Sequence, residues 1–263
     1  MTKTIAIANQ KGGVGKTTTT VNLGAALAER GSRVLLIDFD PQSSLSLSLG
    51  VEVLRLERTI YDALMDSGPE SSLDAITRPT SVADLFLAPS SIELARAEPE
   101  LLGEMSREYF LKNAIRSSAR TYDFILIDCS PSLGILTTNA LAAADQVLVP
   151  VQADYLAFRG ADLLIRTTVE KVRRRLNPQL ELAGVLVTMF NNRTTHAREV
   201  LEEIRATYGE KVFHTVIKQS TRVKEAPASG EPLLRYDPHN ALSQAYRELA
   251  QEIETYAEAT SQH

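Results

Sequence analysis

Asn9-Gln10-Lys11-Gly12-Gly13-Val14-Gly15-Lys16-Thr17-Thr18 follows a short apolar run, Thr4 to Ala8, and leads at once into a stretch of helical character, Thr17 to Arg30. A glycine-rich loop between a buried strand and the start of a helix is a phosphate cradle. Its glycines let successive backbone N–H groups turn inward around phosphate oxygens, and the helix N-terminus adds partial positive charge. In that pattern Lys16 reaches the β- and γ-phosphates of a nucleotide and Thr17 offers its hydroxyl to Mg2+, while Gly12, Gly13, Val14, Gly15 and Thr18 line the loop. The strict form of the motif needs glycine at position 10. This chain has Gln10 there and carries a second lysine, Lys11, so the match is to the variant Lys-Gly-Gly-x-Gly-Lys-Thr. A glycine-rich turn with two solvated lysines is the bland alternative, and the flanking strand and helix argue against it.

Apolar runs rich in β-branched residues recur along the chain: Thr4 to Ala8, Val34 to Ile37, Phe124 to Ile127, Val147 to Val151, Ala183 to Val187 and Val212 to Val216. Helical stretches separate them, among them Phe158 to Arg175 and Thr194 to Tyr208. Continuous apolar strands alternating with helices predict an α/β fold, a doubly wound, mostly parallel sheet with helices on both faces. A chain of 263 residues, 44% hydrophobic, fits one α/β domain as well as two small ones, and a single phosphate-loop domain over 1–263 is the expectation. Residues from about 50 to 120 read as a less regular insertion, punctuated by Gly68-Pro69, Arg78-Pro79 and Ala88-Pro89-Ser90.

Two strand ends carry acids where such sheets bind ligands. Val34-Leu35-Leu36-Ile37-Asp38-Phe39-Asp40-Pro41-Gln42 ends in two aspartates, and Phe124-Ile125-Leu126-Ile127-Asp128-Cys129-Ser130-Pro131 in one. Asp128 reads as the acid near Mg2+, acting through a bound water. Asp40 reads as the group that orients the attacking water and also faces the ion through water. Cys129 is the only cysteine, which excludes a disulfide framework and a four-cysteine cluster within one chain, and it reads as a small buried hydrophobe.

The formal charge of −5 argues against a protein basic over its whole surface, yet from Arg193 to Lys224 there are seven Lys or Arg against four Glu. A second basic run, Lys171 with Arg173, Arg174 and Arg175, either extends this patch or caps a helix C-terminus. No basic-then-apolar leader precedes the first strand, and no apolar run approaches the roughly 20 residues that span a bilayer. The expectation is a cytoplasmic protein with no membrane partner.

The phosphate loop and the two acidic strand ends resemble the ParA/MinD class of ATPases. The likeness to the short, Soj-type ParA partition proteins covers nearly the whole chain. It includes Val149-Pro150-Val151-Gln152, Arg193-Thr194, Glu225-Ala226-Pro227 and Tyr236-Asp237-Pro238. The resemblance implies ATP and Mg2+ as cofactors and a homodimer that forms on ATP binding, in which Lys11 crosses into the partner subunit's nucleotide site and joins Lys16 and Asp40 in catalysis. It further implies non-specific binding of double-stranded DNA, slow hydrolysis stimulated by a ParB-type centromere-binding protein, and a place on the nucleoid. The positions matching the family's DNA contacts are Arg193 and Arg222, with Lys218 and Lys224 beside them, and Asn191 matches a residue of base recognition.

The chain departs from the family pattern in places. Ile217-Lys218-Gln219-Ser220-Thr221 stands where Ile-Pro-Arg-Asn is usual, and Phe158-Arg159-Gly160 where a glutamate-glycine pair is common. Asn191-Asn192 precedes Arg193 where an aspartate is frequent. Other functions on the same scaffold are a ParA-like positioner of protein cargo, a MinD-type division regulator, an electron carrier and an ATP-dependent synthetase. The carrier needs two cysteines per subunit. The regulator needs a basic amphipathic helix, whereas residues 244–263 hold four Glu and one Arg, and Tyr246, Leu249, Ile253 and Tyr256 read as the buried face of a helix.

Overall fold

Strands that are apolar at every position must be covered on both sides. A computed structural model describes residues 2–66 and 68–260, the last four of these as backbone alone. Among them seven strands form one sheet: β1 (Lys3–Ile7), β2 (Val34–Phe39), β3 (Arg78–Pro79), β4 (Leu85–Ala88), β5 (Phe124–Cys129), β6 (Gln146–Gln152) and β7 (Glu181–Thr188). Their order is β3-β4-β2-β5-β1-β6-β7. Every neighbouring pair is parallel except β3 with β4.

Side chains alternate between two cores. Ile5, Ile7, Val34, Leu36, Phe124 and Leu126 meet the helix α1 (Lys16–Glu29) and the terminal helix Ala241–Thr260, whose Tyr246, Leu249 and Ile253 are buried as the sequence led us to expect. Ala6, Leu35, Ile37, Ile125 and Ile127 meet the opposite layer, which includes Leu136, Leu164 and Ile204. The same alternation sends Asp38 and Asp128 toward α1, because each lies two residues beyond Leu36 or Leu126. A period of two thus puts both acids on the α1 side of the sheet, where Asp128 meets Thr17. No helix of the described residues is long and apolar enough to cross a membrane.

Two strand assignments differ from the sequence reading. Val212 to Val216 is not a strand of the sheet. It runs beside β7 with one bridge, Val185 to Val212, and Phe213 N and Ile217 N donate to Val185 O and Val187 O. Between those bonds the Glu252 carboxylate of the terminal helix accepts from His214 N and Thr215 N at 2.8 and 2.9 Å. A side-chain acceptor has taken the place of a ladder. Conversely, Leu85–Ala88, inside the stretch read as irregular, pairs with β2 over four residues. The helical run expected from Phe158 begins earlier, at Tyr155, because Asp154 caps it by accepting from Ala157 N at 3.1 Å. It passes through a π-helical turn, Leu164–Val169, before Glu170–Arg175.

Gly184 lets the 211–217 segment lie against β7. A Cβ there would sit 2.8 Å from Phe213 Cε2 and 2.9 Å from the Lys211 carbonyl oxygen. Gly184→Ala is expected to lower stability by about 1–3 kcal/mol, because backbone must move to admit the methyl group. Urea denaturation would show this as a lower midpoint at unchanged slope.

Candidate nucleotide-binding site

The loop leaves the C-terminal end of β1, and α1 starts at Lys16 with Gly15 as its cap in the left-handed region (φ 90°, ψ 27°). Gly13 is left-handed too, at φ 74°. Side-chain-bearing residues would be strained at both positions. An added Cβ at Gly12 or Gly13 would meet no atom within 4 Å, so the loop fronts open space of the kind a phosphate group needs. Lys16 is only 7% exposed, and its Nζ donates one long hydrogen bond, 3.4 Å, to the Lys11 carbonyl oxygen. Burial lowers its pKa, while Asp128, Cys129 and Asp40 pull it back up. An ammonium so desolvated and so thinly partnered fits an anionic ligand.

Thr17 Oγ1 donates to Asp128 Oδ2 at 2.7 Å, and Thr20 Oγ1 lies 3.4 Å from Asp128 Oδ1. Asp38 stands beside Asp128 in register across β2 and β5. Burial pushes the Asp128 carboxyl up to about 8, with the Asp38 charge adding to it and Thr17 and Lys16 opposing. Burial likewise pushes Asp38 up to about 7, against hydrogen bonds from Ser46 and Asp40. The described residues hold no cluster of three or more His, Cys, Asp or Glu able to ligate an ion by themselves. The set fits a hard cation that arrives with most of its own ligands. Mg2+ keeps several waters and takes phosphate oxygens of the nucleotide, and Thr17 and Asp128 are the groups placed to complete its shell.

Asp38 was visible in the sequence but had no assigned role. It accepts from Ser46 Oγ at 2.6 Å, Ser46 N at 2.8 Å and Asp40 N at 3.4 Å. Ser46 Oγ in turn accepts from Ser90 N at 3.1 Å. Asp38 therefore ties the loop carrying Asp40 to the short helix α2 (Ser44–Ser48) and to the end of β4. Asp40 Oδ1 accepts from Gln42 N at 2.9 Å, which holds the turn, and Ser43 follows in the left-handed region at φ 55°. Non-glycine residues there carry strain.

Thr188, at the end of β7, was missed. Its Oγ1 donates to Val14 O at 2.8 Å and so braces the phosphate loop from the neighbouring side. The only signal for it is a hydroxyl at the end of an apolar strand. Asn191 lies just beyond, with its Oδ1 accepting from Arg193 N at 3.1 Å. Phe190 bridges to Lys218, so the segment that leads to Arg193 is joined to the one that leads through Lys218 to Arg222 and Lys224. All four basic side chains are exposed, and Arg222 pairs with Glu225 at 2.8 Å. Lys11 lies at the rim of the loop beside Gln152 and Asp154.

Comparison with known proteins bears on this geometry. The family model described as an AAA domain matches residues 2–182. The sporulation initiation inhibitor protein Soj of Bacillus subtilis is 46% identical over 253 residues, which cover 96% of this chain and 98% of that protein. The chromosome partitioning protein ParA of Caulobacter vibrioides is also 46% identical over 253 residues, covering 95% of this chain and 93% of that protein. The chain belongs to the Soj/ParA family of partitioning ATPases. Among solved structures, the cobyrinic acid a,c-diamide synthase of Mycobacterium smegmatis with bound ADP and magnesium superposes with a TM-score of 0.82. It is 39% identical, with 95% of this chain and 93% of that one covered. The same synthase is known with an ATP analogue and magnesium. The fold of this chain is thus also that of a solved structure that binds ADP and magnesium.

Proposed function

We propose that this chain, as one ATPase domain over 1–263, hydrolyses ATP to ADP and phosphate and uses that cycle to segregate DNA. The observation that carries the reading is the buried Lys16 behind an open glycine loop, next to the Thr17–Asp128 pair. Lys16 neutralises phosphate charge, Thr17 and Asp128 hold Mg2+, and Asp40 orients the attacking water. Asn191, beyond β7, faces the base. Lys11 completes the site of a second subunit, so that ATP binding and homodimer formation support each other. Non-specific double-stranded DNA is held by Arg193, Lys218, Arg222 and Lys224, and a ParB-type protein stimulates hydrolysis and release. The protein works in the cytoplasm, on the nucleoid.

Support comes from three directions. The relatives named for partition align over nearly the whole chain. A bridge between Phe190 and Lys218 joins the two segments that carry Arg193 and Arg222, which supports one shared basic surface. Thr188 links the phosphate loop to the strand that ends in the Arg193 segment, a short physical path from nucleotide to DNA surface.

Arg222→Glu is expected to weaken binding to unrelated duplex DNA by at least about tenfold, since it reverses a charge facing phosphates. ATP-driven dimerisation should stay at the parent level. A gel shift with ATP, ADP or no nucleotide, run beside light scattering, reads both. Parent protein that ignores DNA in every nucleotide state would favour a second reading, an ATP-dependent synthetase, which the similarity to the M. smegmatis synthase keeps in view.

A further inference from the structure

In a single chain the side chain of Lys11 is already engaged. Its Nζ lies 3.4 Å from Asp154 Oδ1 and 3.4 Å from Gln152 Oε1, at the end of β6. The lysine and aspartate side chains are 40% and 38% exposed, so the pair sits at the rim of the loop and not inside it. Asp154 is held where it is, because the same Oδ1 accepts from Ala157 N as the cap of the helix Tyr155–Leu163. Its other oxygen lies 4.0 Å from His196 Nε2. The Ala157 N–H, and after it the Lys11 charge, hold the Asp154 carboxyl below the usual range, so it stays ionised.

The main chain of Lys11 is anchored as well. Its N–H donates to Asn9 Oδ1 at 3.0 Å, and Asn9 Nδ2 donates to Pro150 O at 2.7 Å. With its N–H held by Asn9 and its carbonyl oxygen accepting from Lys16 Nζ at 3.4 Å, Lys11 moves mainly through its four-carbon stem. Tyr155 and Leu156, the first two residues of the capped helix, are exposed beside it. An exposed apolar pair next to a mobile cation is a surface suited to a second copy of the chain.

We propose that Gln152 and Asp154 store Lys11 in cis, and that Asp154 is a positioning residue which sets how readily ATP-bound subunits pair. The inference rests on the reading of Lys11 as a ligand of the partner's nucleotide. To cross, each Lys11 must leave its own Asp154, so pairing two subunits breaks two such contacts. The vacated carboxylate then stands near a polyphosphate, where like charges repel. Exposed ion pairs are weak, so the latch tunes pairing and does not forbid it. Two of them broken together correspond to a change of about two- to twentyfold in the dimer dissociation constant.

Asp154→Asn removes the charge and keeps the helix cap, because asparagine caps as well as aspartate. The monomer–dimer equilibrium is measured by analytical ultracentrifugation with Mg2+ and a non-hydrolysable ATP analogue, for the parent, Asp154→Asn, Lys11→Ala and the double variant. Asp154→Asn is expected to pair about two- to twentyfold more tightly than the parent at low salt, an advantage that shrinks as salt rises. The double variant is expected to pair no better than Lys11→Ala alone. Unchanged or weaker pairing of Asp154→Asn, or equal tightening in the absence of Lys11, overturns the inference. Lys11→Ala that pairs as well as the parent overturns the trans reading itself, which is a separate and recognisable failure.

Discussion

Lys16→Ala should lower ATP turnover by at least about a hundredfold at saturating nucleotide, the scale of loss when one preorganised group facing transition-state charge is removed. The lysine has no other task that its surroundings reveal. It is buried, among the described residues its ammonium donates one hydrogen bond, a long one to the Lys11 carbonyl, and its acidic neighbours soften its desolvation without pairing with it directly. The fold therefore keeps a desolvated cation in place for a ligand that supplies the missing oxygens. Lys16→Arg should not restore the rate, because the planar guanidinium fork cannot take the place of a compact ammonium in so enclosed a position. Steady-state hydrolysis with purified protein decides the matter. Turnover of Lys16→Ala within about threefold of the parent, with nucleotide still bound, would remove Lys16 from the mechanism.

How far the sequence could be read depended on whether a residue's role was local. The phosphate loop is legible because each of its residues acts on the backbone next to it: Gly13 and Gly15 adopt left-handed angles that the motif predicts, and Lys16 opens the helix. Asp128 is legible because strand alternation alone aims it at α1. Thr188 is not, since its partner Val14 is 174 residues away and one hydroxyl among many carries no pattern. The role of Asp38 depends on Ser46, and a propensity argument sees the acid but not its donor. Val212 to Val216 has the composition of a strand, and only Glu252 on the terminal helix, by accepting from His214 and Thr215, decides that it is not one. Leu85–Ala88 is too short to stand out from a Pro-punctuated stretch, although β2 gives it a full set of parallel partners. Asn191 is legible only through the family motif: its Oδ1 accepts from Arg193 N, and its amide N–H groups keep their donor capacity for a ligand.

Asp128→Asn should act in opposite directions on the resting protein and on catalysis. An unfolded aspartate titrates near 3.8, whereas burial and the neighbouring Asp38 push the folded Asp128 carboxyl up to about 8. The folded state therefore binds this proton more tightly than the unfolded state. The stability it supplies is complete below pH 3.8 and is lost as pH rises through the interval to about 8. Asp38, pushed up to about 7, adds to the loss over the same range. Asparagine carries no charge to desolvate and still offers Thr17 an acceptor oxygen. With EDTA and no nucleotide, the variant should thus be more stable than the parent at pH 8 by about 2–5 kcal/mol, the upper figure being the whole pKa change at about 1.36 kcal/mol per pH unit, with a rise in Tm of about 4–20 °C. The gap should close toward pH 4. With Mg2+ and ATP the effect is expected to be a loss, because on the proposed reading the carboxylate that costs the ligand-free protein stability is the charge that holds the ion, and turnover should fall by about a hundredfold. Calorimetry at several pH values and hydrolysis at pH 8 test the two halves on the same preparation. A variant no more stable than the parent at pH 8, yet equally inactive, would mean that Asp128 is not held at electrostatic cost in the empty site. A stabilised variant that hydrolyses ATP at the parental rate would place the ion elsewhere.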